Sequence, residues 1–448
     1  MRPHAFAALA LALSAAPAGA YPLDASPETG IARLEAFRLG QKTRERRGQE
    51  ALLPQGALLP MSEIVLSLQD RPNFEIPPPD PALGAELRGI LGADAGAYSL
   101  ALLDLSDPAR PLYAGVNPDR AQIPGSVGKI VIGLAFFQSL ADAHPKDLDA
   151  RRRVLRETQV TADGFIRTDD HEVPFWKPGD ARVERRPIEV GDTASLYTWL
   201  DWMLSSSSNA AGSEIAAQLV LLEKYGASYP PPPEQARAFL DGAPKSQLSQ
   251  LFLGGINAGL AKSGLDRGRL YQGSLFTREG KARIPGAGST ATAGELLRFI
   301  VRIEQGRLVD PFSSLEMKRL LYLTDHRVRY ASQPALADSA LYFKSGSLYS
   351  CQPERGFTCS KFHGNRLNYM NSVVLVETPG RNPPLRYAVA VLSNVLKKDS
   401  AEVHAALAAD IHRLIEARHP ETPIPTGARR VEGLPWRGGS EATTPPGR

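Results

Sequence analysis

Sulfur and one-sided charge are both scarce in this chain. Cys351 and Cys359 are the only cysteines among 448 residues, so at most one intrachain disulfide can form. A metal site built on them would need further ligands, and the eight histidines contain no His-x-x-x-His or similar cluster. The formal net charge is only +4. Lys and Arg are dispersed, and no basic run alternates with aromatics, so nothing argues for a polyanionic partner and no nucleic acid is expected. Beyond the amino terminus no stretch approaches ~18 uninterrupted apolar residues, so no further membrane span is expected. There is no internal repeat.

What is present begins at the amino terminus. Met1-Arg2-Pro3-His4 precedes the Ala- and Leu-rich run Ala5 to Ala16, and Ala18-Gly19-Ala20 has the small-x-small form of a cleavage box. Residues 1–20 therefore read as a secretory signal, with an uncleaved anchor as the alternative. The mature chain would start near Tyr21 and be exported, to the periplasm or the extracellular space. In that setting the two cysteines read as one disulfide closing a short loop. Asp169-Asp170-His171 offers oxygen and nitrogen ligands, but it reads as an exposed polar loop.

Residues 21–87 read as an N-terminal extension ending in a Pro-rich linker, Asn73 to Pro81, and 419–448 as a disordered Pro/Gly-rich tail. The body between them, 88–418, opens with strand patterns. Tyr98 to Leu105 and Pro111 to Gly115 form an expected hairpin around Ser106-Asp107-Pro108. Ile130 to Phe137 is apolar on every face, the mark of a helix buried on all sides. Asp142 to Asp192 is polar, with few expected core positions. Leu196–Leu204 and Asn209–Tyr225 read as helices. Thr292-x-x-Glu295 and Asp399-x-x-Glu402 read as capping boxes. Tyr342-Phe343, Met370 to Val376 and Tyr387 to Leu392 read as strands. Strands from both chain ends with helices between them predict an α+β fold: an antiparallel sheet, helices packed on it, and an all-helical lobe.

Three short motifs carry chemistry. Ser126-Val127-Gly128-Lys129 lies where the buried helix should begin, and three-residue spacing puts both side chains on one face. A desolvated lysine there can take the serine proton. Ser207-Ser208-Asn209 sits at a helix junction, where Ser and Asn also serve as ordinary caps. Lys344-Ser345-Gly346 follows a strand signal. Lys262-Ser263-Gly264 spells the same tripeptide, but after a helix, where the glycine suits a C-cap.

The order and settings of these motifs resemble the penicillin-recognising serine enzymes, the class A β-lactamases and related DD-peptidases. The resemblance spans roughly 88–418. It implies a β-lactamase/transpeptidase-like fold in which Ser126 is acylated, with Lys129 as its base. Ser207 would pass a proton to the leaving nitrogen and Asn209 would hold the substrate amide. Lys344 would stabilise charge, Ser345 would bind a carboxylate, and Gly346 would let substrate approach the strand. The amides of Ser126 and Ser347 would form an oxyanion hole. No metal or organic cofactor is implied. A monomer is expected, and the implied partner is a small β-lactam or a peptidoglycan stem peptide. Where class A enzymes carry a deacylating glutamate, Asp266 to Ser289 holds only two acids, Asp266 and Glu279. Glu279 is followed four positions later by Arg283 rather than Asn, so it is either the deacylation base or a loop charge. β-Lactam hydrolysis leads the expected activities. A DD-peptidase and a low-turnover binding or sensing domain are the alternatives.

Overall fold

Side-chain caps decide where most helices of this chain begin. The computed structural model describes residues 22–46, 55–325 and 327–422; the expected signal and the tail beyond 422 lie outside the described residues. The chain enters through Ala25–Thr29 (α1), Ala32–Arg46 (α2) and Pro81–Leu91 (α3). Asp80 caps α3 by accepting from Leu83 N (2.7 Å), and Pro81 fills the first turn, where no N–H is needed. The expected hairpin follows as Tyr98–Asp104 (β1) and Leu112–Val116 (β2). Next come Lys129–Ala143 (α4) and Leu148–Glu157 (α5), then the short strands Gln159–Thr161 (β3), Glu172–Phe175 (β4), Glu184–Pro187 (β5) and Thr193–Ser195 (β6).

The helical lobe continues with Leu196–Leu204 (α6), Asn209–Tyr225 (α7), Pro233–Gly242 (α8) and Lys245–Lys262 (α9). Leu270–Gln272 (β7), Arg278–Arg283 (α10) and Ser289–Ala291 (β8) lead to Ala293–Glu304 (α11) and Pro311–Tyr322 (α12). Ala340–Ser350 (β9), Leu367–Glu377 (β10), Arg386–Asn394 (β11) and Ser400–Arg418 (α13) close the fold. Thr292 caps α11 as expected, accepting from Glu295 N (3.2 Å). The Glu295 carboxylate does not reach back; it accepts from Asp266 N instead (2.8 Å). Asp399 caps α13 through Ala401 N and Glu402 N.

The main sheet is antiparallel throughout, in the order β2-β1-β11-β10-β9, so its strands do come from both chain ends. Successive side chains point to opposite faces. On one face Ala101, Leu103, Val373, Leu375 and Ala390 join the core shared with the lobe. On the other, Leu100, Leu102, Val374 and Val389 pack with α3 and α13. Both faces are covered, which is why β1 reads as an unbroken apolar run.

Two stretches hold more core than their composition suggests. Between 142 and 192, Val154, Leu155, Val160, Phe165, Ile166 and Val173 are buried. They escape a periodicity reading because α5 is strongly charged and the short strands contribute at most one or two apolar residues each. Upstream, Ile31, Leu34, Met61, Ile64, Leu68 and Phe74 join the same core. The Pro-rich segment pairs with the sheet edge: Asp80 N donates to Tyr113 O (2.7 Å). Gly125–Ala143 is long and apolar enough to cross a membrane, yet it is mostly buried inside the protein. It is the core helix that the all-round apolar pattern predicted.

Candidate active site

A single tight turn presents Ser126. Gly125–Gly128 forms one 3₁₀ turn, and the α-helix begins only at Lys129, three residues later than the sequence suggested. Gly125 takes φ +56°, a conformation open to glycine without strain. Strand β9 lies directly against this turn. A Cβ on Gly346 would sit 2.6 Å from Ser126 N and 2.7 Å from Pro124 O. Gly346 was expected to admit substrate; what its missing side chain admits is the Ser126 turn itself. Asn371, paired with Gly346 across β10, fixes the turn by donating to Ile123 O and Pro124 O (both 2.9 Å).

Lys129 is fully buried. Its Nζ is 2.8 Å from Ser126 Oγ, 2.9 Å from Ser207 O and 2.8 Å from Asn209 Oδ1. Desolvation pulls the ammonium down to about 7; the Asp169 charge opposes this and Arg329 adds to it. Lys344, also buried, donates to Ser207 Oγ (2.7 Å) and Ser345 O (2.9 Å). Burial, then the charges of Lys129 and Arg329, push it well below the usual lysine range. The structure thus gathers Ser126, Lys129, Ser207, Asn209, Lys344, Ser345 and Ser347 around one cleft of about 760 Å³.

Ser207 adopts φ +63°, which is uncommon for a residue with a side chain. Beside it Ser208 caps α7, accepting from Ala211 N (3.1 Å). Asp169 accepts from Ser208 Oγ (2.9 Å), Ala210 N (2.8 Å) and His171 Nδ1 (2.6 Å). Burial would raise this carboxyl, but the His171 bond and charge, the Ala210 amide and the Ser208 hydroxyl hold it at about 2. Asp169 of the Asp169-Asp170-His171 loop is therefore a buried support for the α7 amino terminus, where a negative charge is favoured.

Glu279 is not brought into the cleft. It is on α10, accepts from Thr168 Oγ1 (3.1 Å), and lines a separate hollow with Asp163 and Arg283. Phe276 faces Lys129 instead, its ring centroid 4.4 Å from Nζ. Ser213 Oγ seats that loop by accepting from Phe276 N (3.2 Å) and Thr277 N (3.0 Å). Gly212 makes room, since a Cβ there would meet Phe276 Cδ2 at 2.8 Å and Lys129 Cε at 3.1 Å.

Arg329 completes the cleft and has no motif to announce it. Its guanidinium donates to Ser345 Oγ (2.8 Å) and Ser347 Oγ (3.0 Å) and sits 4.9 Å from the Phe362 ring. Among the described residues no carboxylate pairs with it. Burial lowers it to about 10, so it stays cationic at neutral pH. The second Lys-Ser-Gly, at 262–264, ends α9 with Gly264 at φ +66°, as its reading as helix punctuation required. Cys351 and Cys359 form the expected disulfide, Cα–Cα 6.2 Å, just beyond β9.

No family model matches this chain, and no curated protein matches it. Solved structures similar to it include one described as PBP-A, 14% identical, covering 77% of this chain and 100% of that one, with a TM-score of 0.48. A β-lactamase from Chitinophaga pinensis DSM 2588 is 15% identical over 75% and 98% of the two chains, with a TM-score of 0.46. One from Sphaerobacter thermophilus DSM 20745 is 14% identical over 74% and 96%, with a TM-score of 0.45.

Proposed function

We propose that this protein is an exported serine hydrolase that works through an acyl-Ser126 intermediate and is trapped by β-lactams. The observation that carries the reading is the 2.8 Å contact between Ser126 Oγ and the buried Nζ of Lys129. With desolvation drawing its ammonium down to about 7, Lys129 takes the hydroxyl proton as Oγ attacks a carbonyl carbon. Negative charge then builds on the carbonyl oxygen, opposite the amides of Ser126 and Ser347, whose backbones meet at the Gly346 contact. When the carbon–nitrogen bond breaks, Ser207 Oγ gives its proton to the leaving nitrogen. Lys344, 2.7 Å away, supports and replenishes it. With Asn209 Oδ1 engaged by Lys129, the Asn209 NH₂ is left for the substrate amide. Arg329, Ser345 and Ser347 suit a substrate carboxylate, as a charged pair with hydroxyl support.

Phe276 favours a peptidase over a fast β-lactamase. An aromatic ring, not a carboxylate, covers Lys129 where a deacylating water would need a base. A cleaved peptide amine can diffuse away and admit water from the Ser207 side. A β-lactam nitrogen stays tethered to the acyl group and blocks that route. The protein should therefore turn over stem-peptide amides and hold β-lactams as lasting adducts. The disulfide agrees with a place outside the cytoplasm.

The test is to incubate the purified mature protein with a fluorescent penicillin and a chromogenic cephalosporin and to map any adduct by mass spectrometry. A lasting adduct on Ser126, absent in Ser126→Ala, is expected. Rapid colour without an adduct would mean an efficient β-lactamase. Neither signal from folded protein would overturn the β-lactam reading.

A further inference from the structure

Ser207 sits on a short loop, Ser205 to Ser208; Lys129 and Lys344 hold it from the cleft side, and its neighbours are fastened to the body beneath. Ser205 N donates to Asp201 O (2.7 Å) and Ser208 N to Trp202 O (3.1 Å). Ser206 Oγ donates to Asp325 Oδ2 (3.0 Å), and Ser208 Oγ to Asp169 (2.9 Å). These bonds leave Ser207 at the crest, held at φ +63°. A left-handed residue with a side chain is strained and persists only when its surroundings over-determine it.

The outer ends of those fastenings are unusual. Asp201 is fully buried, and its partner comes from the amino-terminal segment. Arg33, on α2, donates Nε to Asp201 Oδ2 (2.8 Å) and Nη2 to Asp201 Oδ1 (2.7 Å). The same Nη2 donates to Leu323 O (2.6 Å), two residues before Asp325. One guanidinium therefore clamps the end of α6, which leads into the loop, to the strand of chain that carries Asp325. Asp325, also fully buried, accepts from Arg185 Nη2 (2.5 Å) as well as from Ser206. Arg185 belongs to the β4–β5 hairpin. Two buried carboxylates beneath the loop thus depend on cations from segments distant in sequence, and a buried carboxylate robbed of its cation protonates or moves.

Taking the acyl-Ser126 reading as its basis, we propose that Arg33 and Arg185 are positioning residues for Ser207, acting through Asp201 and through Asp325 with Ser206. On this proposal the amino-terminal segment is part of the catalytic apparatus rather than an appendage to it. It sets where the proton donor to the leaving nitrogen stands, while the Ser126 turn keeps its own support from Asn371.

The test compares wild type with Arg33→Met, Arg185→Ala and Ser206→Ala, using the full mature chain and a fluorescent penicillin. The readouts are the acylation rate constant per reactive Ser126, the half-saturating penicillin concentration and the melting temperature. A merely structural role lowers the melting temperature and the reactive fraction, but leaves the rate constant of the remaining sites unchanged. Positioning slows each reactive site by about tenfold or more, because small misplacements of a catalytic group carry large rate penalties, with half-saturation little altered. Wild-type rate constants in both Ser206→Ala and Arg185→Ala would overturn the proposal, whether or not Arg33→Met folds. An unreactive wild type would instead overturn the acyl-Ser126 reading beneath it, a different pattern.

Discussion

A lysine that is to accept a proton near neutrality needs surroundings that penalise its charge, and Lys129 has them. With its ammonium pulled down to about 7, it keeps its own proton below that pH and can take one from Ser126 above it. Acylation should therefore rise with pH through about 7 and then level, as followed by adduct formation in a buffer series. Lys129→Ala should slow acylation by about 10²-fold or more. Phe276→Glu should act on the second half of the reaction, placing a carboxylate beside Lys129 and shortening the life of the penicillin adduct, as timed by mass spectrometry. An adduct of unchanged lifetime would show that the ring does not govern deacylation. Ser126 and Lys129 were legible because their partnership is local, three residues apart on one face. Arg329 and Phe276 were not, since nothing in either residue's neighbourhood says which side of the fold it will face. A glycine inside a strongly helical stretch, Gly212, was the one signal that something bulky must pass close to α7.

Between elements, contact is controlled by what is missing as much as by what touches. Strand β9 meets the Ser126 turn with no space for a methyl group at Gly346. Gly346→Ala should push the turn and strand apart, cost about 1–3 kcal/mol as overpacking does, and cut acylation steeply; thermal melts and adduct kinetics check both. The disulfide beyond β9 closes a loop with a sequence separation of 8. Protein purified without reductant should show no free thiol on labelling, and the Cys351→Ser/Cys359→Ser pair should lose about 2–3 kcal/mol at most, because so short a loop constrains the unfolded chain little. The strands and the helices α6, α7 and α13 were readable from period and caps. The segments around β3 to β6 were not: a strand of three or four residues with one or two buried side chains has no period to detect.

The molecule as a whole carries buried charge that ties its stability to pH. Glu214, on α7, is pushed up to about 8 by burial, with the Asp163 charge adding to it. Its folded form holds a proton that the unfolded chain releases near 4.5, so this contribution is complete below that pH and fades as pH rises toward 8. Glu214→Gln should therefore melt like wild type at pH 4.5 and at a higher temperature at pH 9, a difference read by calorimetry. The α+β architecture was visible in the order of strand and helix signals along the chain. The involvement of the amino-terminal segment was not, because a charged helix such as α2 advertises solvent while its one buried arginine decides where it docks. The same long reach shapes how the site comes into being. Lys129 and Asn209 meet across 80 residues, and Ser207 and Lys344 across 137. Such distant pairings close late in folding. No partial chain ending before β9 contains Lys344, so a fluorescent penicillin that labels Ser126 would also report the docking of that strand: chains still emerging, or trapped with β9 undocked, would stay dark until β9 locks against the Ser126 turn.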